Sequence, residues 1–307
     1  MAGSNGFRCI GGGSGSKQAV YCRARSASDP VQPVPCRVVS AQPRPFPEFR
    51  PLAIAHFPIR LVARSLMNPQ VLHLQFVRDD GQSLDYTPGQ FIQIHFPLAD
   101  GSMARRSYSC ATRHDHHMQP GEAVEFVASV VPSGAATALF QGMAIGDTLQ
   151  ASGPMGLFTL KADDTNARYL LIATGTGVAS YRSMLPDLLQ QIDARGLQVS
   201  LVHGVRTPDE ALFADEFAAA ARRFGDRFVY MPCFSREMPR ADDARFIDAL
   251  PRHGYVQNQL DELAPVPGQD IAYLCGNPDM VDAGIEALKQ RGLTMKDIRR
   301  EKYISLK

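Results

Sequence analysis

Apolar and polar positions alternate with period two through the first half of the chain. Phe57, Ile59, Leu61 and Ala63 alternate with Pro58, Arg60 and Arg64, and Val62 interrupts the polar set. Leu72, Leu74 and Phe76 alternate with His73 and Gln75; Ile92, Ile94 and Phe96 alternate with Gln93 and His95. Further short runs fall at 105–112, 123–131 and 148–152, and Asp80-Gly81, Pro88-Gly89, Asp100-Gly101 and Gly146-Asp147 supply turns between runs. Short strands with this period and punctuation predict an antiparallel β-barrel over residues 57–162.

Near residue 169 the period changes. Tyr169-Leu-Leu-Ile-Ala-Thr174 is a continuous apolar run that ends in Gly175-Thr176-Gly177. A helical stretch to about Arg195 follows. After it come a strand at 197–205, a helix at 209–223, a strand at 227–234, a short helix near 243–250, a strand at 270–275 and a helix at 278–290. Asn277-Pro278 offers an N-cap followed by proline at the first helical position. Strands alternating with helices predict a doubly wound parallel sheet over residues 166–307.

Residues 1–56 fit neither pattern. They hold a glycine-serine run at 11–16 and prolines at 30, 33, 35, 43, 45, 47 and 51. Residues 1–44 carry six basic side chains against one acidic, which leaves 26 basic and 30 acidic residues of the chain's 32 and 31. Such a segment is expected to be a disordered extension. Its basic, serine-containing composition also suits a transit peptide, although the glycine run interrupts any amphipathic helix.

The near-zero charge of the whole chain argues against nucleic acid as a partner. No apolar run approaches the length of a membrane span. Six cysteines without a CxxC exclude a zinc ribbon, a thioredoxin motif and a self-contained iron–sulfur module, and they suit a reducing cytoplasm. His114, His116 and His117 share a polar loop without a ligand set for a metal, so none is expected. Asp209-Glu210 and Asp261-Glu262 read as helix N-terminal charges.

Four constellations carry candidate chemistry. Arg106, Tyr108 and Ser109 lie on one predicted strand. Arginine suits a diphosphate, tyrosine a ring, and a serine hydroxyl a ring nitrogen, although a random strand often holds such residues. Gly134-Ala135-Ala136-Thr137 opens a helical turn whose free N–H groups suit an anion, or it is a plain cap. Thr174-Gly175-Thr176-Gly177 occupies the first βα turn of the parallel sheet, where phosphates bind, but Ser180 stands where a GxGxxG pattern needs its third glycine. Cys275-Gly276-Asn277-Pro278-Asp279-Met280 follows a later strand at the same sheet edge, where a lone cysteine is more often core.

Together and in this order, these motifs over residues 57–307 resemble the ferredoxin–NADP⁺ reductase family, bacterial type. The resemblance implies an FAD-binding β-barrel followed by an NADP-binding α/β domain. It implies FAD held by Arg106, Tyr108, Ser109 and Thr112 and by the turn Gly134, Ala135, Ala136 and Thr137. It places the NADP⁺ diphosphate on Thr174, Gly175, Thr176, Gly177 and Arg182, in a segment where Ser180 replaces the family's usual proline. The 2′-phosphate falls to Ser235 and Arg236, with Arg206 as a further partner, and the adenine side to Tyr255. Ser109, Cys275, Glu301 and Tyr303 become the catalytic group, with Tyr303 stacked on the flavin and Ile304 to Lys307 following it.

The resemblance further implies a cytoplasmic, monomeric NADPH-dependent enzyme that exchanges electrons with a separate ferredoxin or flavodoxin. A non-catalytic electron-transfer or nucleotide-sensing subunit, and a flavin or small-molecule reductase, remain as alternatives. Deleting residues 1–55 is expected to leave flavin content and reductase rate within about twofold. Loss of flavin on truncation would make the segment part of the fold.

Overall fold

The computed structural model describes residues 54–303, so the extension expected at the N-terminus, up to residue 53, and the last four residues lie outside it. Six antiparallel strands form the first sheet. They are β1 (His56–Asn68), β2 (Val71–Arg78), β3 (Phe91–Pro97), β4 (Met103–Ser109), β5 (Val124–Ser129) and β6 (Thr148–Met155), in spatial order β4-β3-β6-β1-β2-β5. The alternation seen in the sequence becomes the barrel core: Phe57, Ile59, Leu61, Leu72, Leu74, Phe76, Ile92, Ile94 and Phe96 all point inward and are buried. Ala63 is an exception. The β1–β2 register shifts between Leu61 and Ala63, so the bulge at Val62 takes Ala63 off the inward set.

The edge strands β4 and β5 meet just beyond Ser109. There the Ala111 N–H donates to the Glu125 carbonyl at 2.8 Å, and the Glu125 N–H donates to Thr112 Oγ1 at 2.7 Å. Helix α1 (Ala135–Gly142) caps the barrel. Arg64 ends this helix from outside, donating from Nη1 to the carbonyls of Phe140, Gln141 and Met143 at 2.5, 2.9 and 2.7 Å. A cation at a helix C-terminus satisfies carbonyls that have no partner within the helix.

The second sheet is parallel throughout. It comprises β7 (Arg168–Thr174), β8 (Gln198–Val205), β9 (Phe228–Phe234), β10 (Arg252–His253), β11 (Asp270–Gly276) and β12 (Ile298–Lys302), in order β10-β9-β8-β7-β11-β12. Helices α2 (Val178–Arg195) and α3 (Ala214–Phe224) cover one face; α4 (Leu260–Leu263) and α5 (Pro278–Gln290) cover the other. The continuous apolar run of β7 follows from this double cover: Tyr169, Leu171 and Ala173 pack toward α2, while Leu170 and Ile172 pack toward α5. Asn277 caps α5 through its side chain, at 2.8 Å from the Asp279 N–H, with Pro278 next.

Several elements differ from the sequence reading, whose succession of strands and helices held neither strand β10 nor helix α4. The helix expected from 209 begins at Ala214, after a single turn at Pro208–Glu210 in which Glu210 accepts from the Arg206 N–H. The helix expected near 243–250 is one turn, Ala244–Phe246, capped by Asp243. Strand β12 has no period-two signal, because an edge strand buries only one residue, Ile298. The four acidic residues read as helix N-terminal charges are all ion-paired: Glu210 with Arg206, Asp209 with Arg245, Asp261 with Arg291 and Glu262 with Arg252.

The barrel and the parallel sheet share one core. Val71, Ala111, Val127 and Phe158 of the barrel pack in the same cluster as Tyr181, Leu185 and Tyr273.

Candidate active site

Two cavities open along this junction. The larger, about 700 Å³, runs along the C-terminal edge of the parallel sheet. The smaller, about 480 Å³, lies between β4, β5 and the N-terminus of α1. Ser129 at the end of β5 and Thr176 in the βα turn line both, and their hydroxyls stand 3.5 Å apart.

The smaller cavity gathers Arg106, Tyr108, Ser109, Gly134, Ala135, Ala136, Thr137, Thr176, Glu301 and Tyr303 on its wall. The β3–β4 register pairs Arg106 with Ile94 and Tyr108 with Ile92, which puts arginine and tyrosine on one face of the strand. Tyr108 stacks edge-on against Phe140, with ring centroids 5.4 Å apart, so α1 and the tyrosine position each other. The Thr137 hydroxyl is partly engaged, accepting from the Val131 N–H at 2.9 Å. Thr112 is not on this wall. Its hydroxyl serves the barrel closure described above.

At one end of this cavity three side chains from two distant segments bond in series. Tyr303 OH donates to Ser109 Oγ at 2.6 Å, and Ser109 Oγ donates to Glu301 Oε1 at 3.0 Å. Ser180 Oγ lies 3.4 Å from the Tyr303 hydroxyl and 3.9 Å from Cys275 Sγ. Burial pushes the Glu301 carboxyl above the ordinary carboxylate range, and the Ser109 hydrogen bond partly offsets that. Burial also pushes the Cys275 thiol up, so it stays protonated and is not a nucleophile. Cys275 lines neither cavity: Ser180 and Tyr303 stand over it. The residue expected beside the nicotinamide is thus one layer behind the surface.

The larger cavity takes Thr174, Gly175, Thr176, Arg206, Ser235 and Tyr255, with Asn277 and Asp279 from the next strand end. Close backbone approach explains two glycines here. A Cβ on Gly177 would stand 2.4 Å from the Cys275 carbonyl oxygen, and one on Gly276 would stand 2.6 Å from Thr174 Oγ1. Thr174 Oγ1 accepts from the Asn277 N–H at 3.0 Å, which joins the two loops.

His203, which the sequence reading missed, lies fully buried beneath the turn and donates from Nε2 to the Gly175 carbonyl at 3.1 Å. Burial pushes its pKa down to about 4, so the ring is neutral in ordinary buffer. An isolated histidine inside an apolar strand gives no periodic signal, and only the fold puts it under Gly175.

Two arginines expected at phosphates have partners within the protein. Arg206 Nε donates to Glu210 Oε2 at 3.0 Å and Nη2 donates to Gln70, so a carboxylate already neutralises it. Arg182 lines neither cavity, because its guanidinium turns toward the barrel. Arg236 is exposed beyond Ser235, and its backbone N–H donates to the Arg206 carbonyl at 3.0 Å.

A barrel with an arginine and a helix N-terminus at its open side, joined to a dinucleotide-type sheet edge, defines an FAD- and nicotinamide-dependent oxidoreductase. Residues 58–160 match the family described as Oxidoreductase FAD-binding domain, and residues 171–284 the Oxidoreductase NAD-binding domain. The chain is 32% identical over 254 residues to ferredoxin–NADP reductase B of Sorangium cellulosum, covering 80% of this chain and 97% of that one. It belongs to the ferredoxin–NADP⁺ reductase family.

It is also 30% identical over 241 residues to the reductase component of propane 2-monooxygenase from Rhodococcus jostii, covering 78% of this chain. The chain spans 61% of that relative's length. The crystal structure of a cytochrome P450 reductase from Amycolatopsis superposes with a TM-score of 0.68 at 27% identity, over 81% of this chain and 70% of the other. Among the described residues, no helix is long and apolar enough to cross a membrane.

Proposed function

We propose that the protein is an NADPH-dependent reductase that passes electrons through FAD to a separate one-electron acceptor of the ferredoxin or flavodoxin kind. The observation that carries this reading is the meeting of the two cavities at Ser129 and Thr176, with the Ser109–Glu301–Tyr303 series alongside. FAD, when bound, accepts two electrons as one hydride and releases them singly.

The chain's residues place the reactants. Arg106 and the N–H groups at the start of α1 supply positive charge for a diphosphate. Ser109 offers a hydroxyl at the ring, held in direction by its bond to Glu301. Tyr303 covers the face that the nicotinamide must reach, and swinging it aside uncovers Cys275. The small residues of the Thr174–Gly177 turn admit the second diphosphate at the N-terminus of α2.

Preference for NADPH rests on Ser235 and Arg236, since the 2′-phosphate is the only difference between the two cofactors. Arg236→Ala is expected to raise the KM for NADPH about tenfold, the loss of one charge-assisted hydrogen bond, and to leave that for NADH nearly unchanged. Glu210→Gln has the opposite expectation: releasing Arg206 from its carboxylate tightens NADPH alone. Equal use of both cofactors by the unmutated protein would sink the NADPH assignment.

The test of the whole reading is single-turnover spectroscopy. The purified protein should be yellow and should bleach on anaerobic NADPH addition. Its colour should return on addition of oxidised ferredoxin or flavodoxin. The similarity to the propane monooxygenase reductase component favours a second acceptor class, an oxygenase component, which belongs in the same titration. Bleaching without reoxidation by any of these, but with rapid reoxidation by free flavin, would instead mark a flavin reductase.

A further inference from the structure

Arg182 makes contacts that a nucleotide ligand does not need. It stands one helical turn into α2, with its side chain only 12% exposed. Its Nη1 donates to Glu125 Oε2 at 2.7 Å and to the Ala111 carbonyl at 2.8 Å; its Nε donates to Glu216 Oε1 at 3.0 Å. The guanidinium lies over the Phe213 ring, 4.4 Å from its centre. From the barrel, His73 Nε2 lies 2.8 Å from Glu125 Oε2, and Arg113 Nη1 donates to Glu216 Oε2 at 3.0 Å. Burial works to raise the Glu125 carboxyl, but its bonds to His73 and Arg182 hold it below its ordinary value, so it remains an anion between these two partners. The network therefore crosses from β2, β5 and the Arg113 loop to α2 and α3.

Each contact falls close to a functional position. Ala111 is two residues past Ser109, Glu125 is four residues before Ser129, and Arg182 is four residues past Val178, where the Gly175–Gly177 turn ends. We propose that Arg182 is a positioning residue that clamps the two flavin-side edge strands to the nucleotide-side helix, and so sets the separation of the two cavities across which the hydride passes. The inference rests on the reductase reading above. Its physical basis is geometric: a misplacement of about 1 Å costs roughly 100-fold in a reaction between held partners. Lysine cannot replace the clamp, because a single ammonium lacks the planar fork that reaches Ala111, Glu125 and Glu216 together.

The experiment uses the full chain with FAD bound and compares the unmutated protein with Arg182→Ala, Arg182→Lys and Glu125→Gln. Two quantities are read in each: the dissociation constant for NADPH and the rate of flavin reduction at saturating NADPH. Hydrogen exchange of residues 109–113 and 124–129 is read in the absence of nucleotide.

A clamp predicts a saturating rate at least about tenfold lower in both Arg182 variants, and lower in the same direction in Glu125→Gln, with NADPH affinity held within about threefold. It also predicts faster exchange in both segments. A phosphate ligand predicts the reverse: weakened NADPH affinity, an unchanged saturating rate and unchanged exchange, and that result overturns the proposal. An unchanged rate in all three variants overturns it as well. Glu125→Gln, which keeps the packing of Arg182 on Phe213, supplies the answer if Arg182→Ala fails to fold. An unmutated protein that takes no flavin would strike the reductase reading, while the exchange measurement would still decide whether Arg182 ties the segments.

Discussion

Replacing Arg106 with alanine is expected to give a colourless protein that folds normally. The only described hydrogen bond from this guanidinium is to the neighbouring Arg105 carbonyl, at 2.9 Å, so the barrel does not depend on it. Its face of β4 looks into the smaller cavity beside Tyr108, near the small-residue start of α1. Charge-assisted hydrogen bonds are worth about 1.5–3 kcal/mol each. Loss of one lowers affinity roughly 10- to 150-fold, and a bidentate pair more. Gel filtration then separates flavin from protein. The unfolding midpoint of Arg106→Ala, compared with that of the unmutated protein stripped of flavin, checks that the fold is intact. Full yellow colour after gel filtration would move the flavin site away from β4.

The second large effect concerns Tyr303. Its ring occupies the end of the smaller cavity, fixed by the hydroxyl bond to Ser109, and it covers Cys275 together with Ser180. If a nicotinamide must displace this ring, every nicotinamide cofactor binds against its stacking energy. Aromatic stacking contributes about 0.5–1.5 kcal/mol beyond area burial. Tyr303→Ser is therefore expected to tighten nicotinamide binding by roughly 2- to 10-fold. It should also relax the NADPH/NADH ratio, because the 2′-phosphate no longer has to offset the displacement. A slower kcat should accompany this, since product leaves a tighter site more slowly.

The deciding measurement is kcat/KM for both cofactors in both proteins, with the flavin spectrum recorded. An unchanged ratio and an unperturbed flavin band would place the ring away from the isoalloxazine. Such a result would also weaken the assignment of Glu301.

Glu301 has its own signature. Burial raises its carboxyl pKa, so it keeps its proton to higher pH than an ordinary glutamate and loses it only as pH rises above the usual carboxylate range. The sign follows for folding: the protonated form is favoured in the native state, so raising the pH through that range costs stability. Glu301→Gln, neutral at every pH, is expected to remove this dependence from both the unfolding midpoint and the rate of flavin reduction. A pH profile identical to that of the unmutated protein would assign the titration to another group.

The order of elements was legible because burial has a local period. Phe57, Ile59 and Leu61 alternate because one side of a barrel strand is wet; Tyr169 to Ala173 do not alternate because helices cover both faces of β7. The turn Gly175-Thr176-Gly177 and the Asn277 cap were legible because their backbone requirements fix the residue type within a few positions. Strand β12 escaped because an edge strand with one buried residue carries no period. The convergence of Ser109 with Glu301, 192 residues apart, came from family resemblance and not from any spacing.

The sequence by itself determined the two-part architecture, the strand ends that line the two cavities and the types of residue placed there. These follow from rules that act over a few residues: side-chain period, turn geometry and capping. Only the tertiary structure decided the partners of charged side chains. Arg182 stands in a motif that points to a phosphate, yet it meets Glu125, 57 residues away, and Ala111, 71 residues away, and it turns from the cavity. Arg206 is neutralised by Glu210, Thr112 closes the barrel, and Cys275 lies behind Ser180 and Tyr303. A long cationic side chain takes the carboxylate that folding brings within about 3 Å, because charge-assisted bonds outweigh most local preferences. Which carboxylate that is depends on how the barrel and the parallel sheet pack around their common core, and no local pattern in the chain records it.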